Sequence, residues 1–119
     1  MRNKELYHPD PSDIELDRVL GALSDPIRRD VLRRIGEQGP QYCGQMDYAL
    51  VKSTMSHHFK VLREAGLVHT EIQGTRRRIW RRDAVIEARF PGLLAAVGLP
   101  AGEGQWKDDD HVVSGQSEH

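Results

Sequence analysis

The stretch that decides the fold reads Lys52-Ser53-Thr54-Met55-Ser56-His57-His58-Phe59-Lys60-Val61-Leu62-Arg63-Glu64-Ala65-Gly66-Leu67-Val68. Met55, Phe59, Leu62 and Ala65 recur at steps of four, three and three, the spacing of one buried helix face. Met55 and Phe59 are therefore read as core. Ser53 supplies a candidate N-cap and Gly66 a stop. Thr54, His57, Lys60 and Arg63 fall largely off the apolar stripe, so this helix buries one side and offers hydrogen-bonding groups on the other. After Gly66 the pattern changes to two β-prone pieces, Leu67 to Gln73 and Thr75 to Arg82, hinged at Gly74. They read as a hairpin whose second strand is loaded with arginine.

Upstream, Leu16, Val19, Leu20 and Leu23 fall close to one helical stripe, with Ser12 or Asp13 able to cap its start. Asp25-Pro26 opens a second helix, because proline at the first helical position loses no needed hydrogen bond, and Ile27, Val31, Leu32 and Ile35 follow at helical spacing. Gly36 and Gly39-Pro40 end it. A short third helix is expected from about Gly44 to Leu50, with Met46, Ala49 and Leu50 apolar. Downstream, a last helix begins near Asp83 and includes Val85, Ile86, Phe90, Leu93, Leu94 and Val97, with Pro91 kinking or restarting it.

The predicted fold is thus mainly α with a two-stranded β wing, in the order α-α-α-α-β-β-α, the winged version of the helix-turn-helix. In that motif the second helix enters a DNA major groove, and it needs hydrogen-bonding side chains at its N-terminal end with cations nearby to neutralise phosphates. Lys52, Ser53, Thr54, Ser56, His57 and Lys60 meet that description. The wing residues Gln73, Thr75, Arg76, Arg77 and Arg78 place arginines beside a duplex, against phosphate or in a minor groove.

At three separated places the sequence resembles the ArsR/SmtB family of winged-helix repressors. These are Leu23-Ser24-Asp25-Pro26-Ile27-Arg28, the Ser56 to Val68 run, and the Gly74-Thr75-Arg76-Arg77 wing. The match covers roughly residues 14 to 97. The resemblance implies a homodimer in which first and last helices pack across a two-fold axis and two recognition helices address a pseudo-palindromic operator. It also implies repressor-type transcription control that changes when an effector binds. The chain itself agrees with a dimer, since Leu16, Leu20, Phe90, Leu93, Leu94 and Leu99 are more large apolar residues on the two helices than a small monomer easily covers. The alternative for these residues is an intramolecular core.

Composition bounds the rest. A chain of 119 residues holds one core: a domain over 13–99, an arm over 1–12 carrying Pro9 and Pro11, and an acidic tail over 100–119. No run approaches the roughly 18 apolar residues of a membrane span, and the charged N-terminus is not a secretory signal. The lone Cys43 makes no internal disulfide, so a cytoplasmic location is expected. The net charge of −1 is a cancellation. Between Ser24 and Arg82 twelve basic side chains face six acidic ones, a balance of +6, and the two ends together carry −7. A basic middle suits a polyanionic partner.

No enzymatic signature is recognisable: there is no glycine-rich phosphate loop, no paired-carboxylate pocket and no activated cysteine-histidine pair. The competing function is a winged protein-interaction module, or a co-regulator that senses its signal through a partner protein. Family metal sites use paired cysteines near the third helix or His and acidic ligands on the last helix, and this chain has neither. His8, Asp10 and His111, with Asp108 and His119, are the remaining candidates, and such N/O ligands suit nickel or zinc. Cys43 is either a redox sensor or a buried inert thiol. His57 and His58 are adjacent and diverge, so they do not share a metal; His57 is the DNA contact and His58 packs at the helix-to-wing junction. Trp80 is expected against the last helix, and Arg28, Arg29, Arg33 and Arg34 on a solvated helix face, with a subset on phosphates.

Overall fold

The computed structural model describes residues 6–107. A 3-10 turn at Pro11–Asp13 leads into α1 (Leu16–Leu23), α2 (Pro26–Gln38), β1 (Gln41–Tyr42), a second 3-10 turn at Cys43–Gln45, and α3 (Lys52–Ala65). Then follow β2 (Val68–Gln73), β3 (Arg76–Arg81), α4 (Asp83–Arg89) and α5 (Leu93–Ala96). Mainly helical with an antiparallel wing, this is a winged helix-turn-helix.

Local chemistry sets most boundaries. The Asp25 carboxylate accepts from the backbone N–H groups of Ile27 (2.8 Å) and Arg28 (3.1 Å), and Pro26 opens α2, as expected. Burial pushes the Asp25 carboxyl up, but the two backbone donors outweigh it and hold its pKa below the ordinary value. At the end of α3, Gly66 turns left-handed at φ 91°, and Leu67 N–H reaches back to the Leu62 carbonyl at 3.1 Å. Glycine is doubly required there, since a Cβ would lie 2.6 Å from Ile14 Cδ1. That buried Ile14 also explains where α1 begins. Seating it against Gly66 extends the chain after Pro11–Asp13, so Ser12 and Asp13 form the 3-10 turn and the helix starts only after Glu15.

Four expectations need correction. Gly36 does not end α2 but lies inside it, packed against the Arg81 guanidinium, and Gly39 alone is the C-cap. The third helix is absent: only Cys43–Gln45 makes a helical turn, and Met46 is buried from non-helical backbone. A seven-residue segment holding Gly44, Asp47 and Tyr48 cannot offset helix nucleation, and the Tyr48 hydroxyl instead donates to Asp30 Oδ2 at 2.7 Å. The sheet has three strands rather than two, in the order β1-β3-β2 and wholly antiparallel, with Tyr42 opposite Arg78 and Gln73 opposite Arg76. Ser53 lies inside the first turn of α3, and Val51 is the flanking residue whose carbonyl accepts from Thr54 and Met55 at 3.1 Å.

The core runs through Val19, Val31, Leu32, Ile35, Leu62, Val68, Ile79 and Ile86. The chain breaks at Phe90-Pro91-Gly92 between α4 and α5, where Pro91 stands. Residues 6–12, read from sequence as part of an arm, lie on the domain. Tyr7, Pro9 and Pro11 carbonyls accept from Arg63, Arg82 and Arg89, and His8 Nε2 accepts from Thr70 N–H at 3.0 Å. Residues 104–106 make one isolated parallel bridge with β3, Arg81 N–H donating to the Gly104 carbonyl and Trp106 N–H to the Arg81 carbonyl. The rest of the acidic tail, from Asp108, lies outside the described residues.

Candidate nucleic-acid interface

Helix α3 presents two chemically distinct sides. Met55, His58 and Leu62 are buried, while Lys52, Ser53, Ser56, His57 and Lys60 are exposed and Thr54 is half-buried. Of the residues expected off the apolar stripe, Thr54 is only half-exposed and Arg63 is buried, its Nε held by the Tyr7 carbonyl. No side chain caps the α3 N-terminus, so its first-turn amides keep the donor capacity that phosphate oxygens use.

The inward side carries a polar tie. Arg28 Nη1 lies 3.0 Å from His58 Nδ1, and because a guanidinium has only donors, the imidazole nitrogen must accept. Arg28 also donates from Nε to the Ala22 carbonyl (2.8 Å) and from Nη2 to the Gly21 carbonyl (3.3 Å). His58 is thus packed, as expected, but against α2 and the end of α1 rather than at the wing. The expected solvated face of α2 is likewise half-realised: Arg28 and Arg29 are held by α1 carbonyls, whereas Arg33 pairs with Asp30 and Glu37 in solvent.

Strand alternation sorts the wing into two faces. Arg76, Arg78 and Trp80 share one; Arg77 shares the other with Ile79 and Arg81, so only Arg77 of the three tip arginines stands on the core side of the sheet. Gln73, Thr75, Arg76 and Arg77 are exposed and Arg78 is half-buried. The turn at Gly74 has φ 66°, as a two-residue hairpin loop requires. On the outer face Arg76 stacks on the Tyr42 ring with its guanidinium carbon 3.7 Å from the centroid, and Arg78 lies 4.8 Å from the same centroid. Arg78 Nη1 donates to the Tyr42 hydroxyl at 2.9 Å. Sequence reading missed Tyr42 altogether. A two-residue strand leaves no periodicity, and its partner lies 36 positions away.

Farther along that face the His69 ring is sandwiched, stacked on Trp106 at 3.6 Å and on His8 at 4.2 Å, with Trp80 edge-on to Trp106 at 4.9 Å. Trp80 therefore packs against the C-terminal segment and not the last helix, because it alternates away from core-facing Ile79. Burial first, then the neighbouring His69 and Arg82, pull the His8 pKa from 6.5 to about 4.

Of the proposed interface residues, Leu16 and Leu20 are each 44% exposed on α1, and Phe90 and Leu93 are half-buried against the core. Leu94 belongs to the chain's own core at 3% exposure, as does Leu99. Among the described residues the metal candidates His8 and Asp10 do not form a site. His8 has committed Nε2 to Thr70, Asp10 is exposed, and among the described residues no three His, Cys, Asp or Glu side chains come together to hold an ion. His111, Asp108 and His119 lie outside the described residues. Burial pushes the Cys43 thiol up to about 11, against the opposing field of Arg77, so it stays protonated at neutral pH, unlike a reactive sensor thiolate.

Comparison with known proteins agrees with this geometry. A helix-turn-helix domain family matches residues 23–71. The chain is similar to YceK of Bacillus subtilis strain 168, described as an uncharacterised HTH-type transcriptional regulator, at 34% identity over 80 residues, spanning 65% of this chain and 80% of that one. It is also similar to a crystal structure of an ArsR family transcriptional regulator, with TM-score 0.59 and 25% identity, over 68% of this chain and 90% of the other. No helix among the described residues is long and apolar enough to cross a membrane. With an exposed polar face on α3, an arginine wing beside it and relatives of this kind, the chain belongs to the HTH-type transcriptional regulators, non-enzymatic proteins, and carries a DNA-binding domain of the ArsR type.

Proposed function

We propose that the protein is a dimeric, sequence-specific repressor that seats α3 in successive major grooves and lays its wing on the backbone or in the minor groove. The observation that carries this reading is the division of α3: Ser53, Ser56, His57 and Lys60 are exposed together while Met55, His58 and Leu62 are buried. A major groove of about 12 Å admits such a helix, and serine and histidine at its N-terminal half are suited to base edges. Lys52, Lys60, Arg76 and Arg77 supply exposed cations.

Leu16 and Leu20, with Phe90 and Leu93, are the residues on which the two-fold contact is drawn. An open cleft of about 790 Å3 lined by Tyr7, Ser12, Glu15, Leu16, Arg18 and Arg89 adjoins Leu16 and is the candidate place for an effector to act on that contact. The test is binding to the duplex upstream of the protein's own gene, followed by fluorescence anisotropy across a salt series and by footprinting. If the four cations of each subunit meet phosphates, log K falls against log salt with a slope of about −7 for a dimer. A footprint on two half-sites one helical turn apart is expected. Salt-independent binding, or a clean monomer at micromolar concentration by sedimentation, overturns the reading.

A further inference from the structure

We propose that Tyr42 is a positioning residue for DNA binding, the platform that holds Arg76 and Arg78 in place for backbone phosphates; this rests on the DNA-binding reading above. The platform is assembled from three strands. Tyr42 on β1 stands opposite Arg78 on β3, Arg76 lies two residues on along the same face, and Gln73 on β2 pairs with Arg76 across the turn. The Tyr42 hydroxyl accepts from Arg78 and donates to Gln73 Oε1 at 3.4 Å, so ring and hydroxyl each fix a different arginine.

Fold stability does not account for this arrangement. Gln73 and Arg76 are exposed at the sheet's open end, outside the core cluster. Two guanidiniums share one ring, at 3.7 and 4.8 Å, and among the described residues neither is within ion-pair distance of a carboxylate. Glu71, opposite Arg78 on β2, instead lies 3.7 Å from His69 Nε2. Bringing two like charges together without a counter-ion costs energy in the free protein, and a polyanion laid across the wing relieves it. Stacking leaves the edge N–H groups of Arg76 free for phosphate while removing the rotamer freedom that a solvated arginine loses on binding.

The experiment measures anisotropy with two probes, the duplex upstream of the gene and a mixed-sequence duplex of equal length, for wild type, Tyr42→Ala, Tyr42→Phe, Arg76→Ala and the Tyr42→Ala/Arg76→Ala double variant. Active protein is counted by stoichiometric titration. We expect Tyr42→Ala to weaken binding about fivefold, the scale of one immobilised side chain, without changing the salt slope, because no charge is lost. Arg76→Ala lowers the slope as well. In the Arg76→Ala background the Tyr42→Ala effect shrinks, a coupling that simple loss of folded protein does not produce. Tyr42→Phe keeps the stack and retains most of the affinity. Additive effects in the double variant, or Tyr42→Ala binding DNA as well as or better than wild type, overturn the proposal. Wild type that binds neither probe overturns the DNA-binding reading instead.

Discussion

Arg76 to Arg78 and Arg81 to Arg82 belong to one tract and end in opposite situations. At the tip the arginines are exposed or stacked on Tyr42. Three to five residues on, Arg81 is 2% exposed and every arm of its guanidinium is used: Nε and Nη2 on the Asp83 carboxylate at 2.9 and 2.7 Å, Nη1 on the Leu32 carbonyl at 3.1 Å, and Nη2 again on the Leu99 carbonyl at 2.9 Å. Arg82 is buried too and holds the Pro9 carbonyl. The planar fork that grips a carboxylate inside the protein is the one that grips phosphate outside it. The +6 of the middle segment therefore overstates what a polyanion meets, since Arg28, Arg29, Arg63, Arg81 and Arg82 all donate to backbone carbonyls within the chain.

Mutation should separate the two ends. Arg81→Ala strands the Asp83 carboxylate in the interior and is expected to cost about 3 to 5 kcal/mol in urea unfolding; a loss below about 1 kcal/mol breaks the contrast. Replacing Arg76 and Arg77 together by alanine is expected to leave stability within about 0.5 kcal/mol while weakening DNA binding tenfold or more and reducing the salt slope by about 2 per subunit. Gly36→Ala sharpens the inner end. Alanine is normally better in a helix, yet a Cβ here collides with the pinned Arg81 Nη1, so a net loss of about 1 to 2 kcal/mol is expected, and thermal denaturation would read it as a lower Tm.

The smallest effect concerns pH. Unfolded His8 takes a proton near 6.5 and folded His8 only near 4, so its contribution is complete above pH 6.5 and is lost as pH falls through that window. Discounted for partial exposure, it amounts to about 1 kcal/mol. His8→Ala should flatten the dependence of the unfolding midpoint between pH 7 and 4, and a profile unchanged by the substitution would detach His8 from it.

What was legible in the sequence was what repeats or caps. The α3 stripe, the Asp25-Pro26 start, the Gly66 stop and the Gly74 hinge are local signals, and each stands where expected. The exposed positions of α3 followed from the same periodicity, except that Thr54 is half-buried and Arg63 buried. Hidden were the features made by distant partners: β1, which exists only through β3; the arm held by Arg63, Arg82 and Arg89; and the His8–His69–Trp106 stack, which joins the two ends of the described chain. The Gly44 to Leu50 helix failed for the converse reason. Its three apolar residues were counted, but a segment so short takes its conformation from what it packs on, here Asp30 and the core around Met46.

The pairing of β3 has one more consequence. The side of β3 away from β2 is covered by Gln41–Tyr42 beside Ile79 and Arg78 and by Gln105 beside Arg81, while the pairing stops short of Arg76 and Arg77 at the tip. An open β-edge is a template on which other chains can add, and aggregation of small sheet proteins commonly starts there. Among the described residues the two edge strands of this sheet are β1, which is only two residues long, and β2, which carries the charge of Glu71. One edge is thus too short and the other too charged to make this sheet a ready seed for sheet-to-sheet growth.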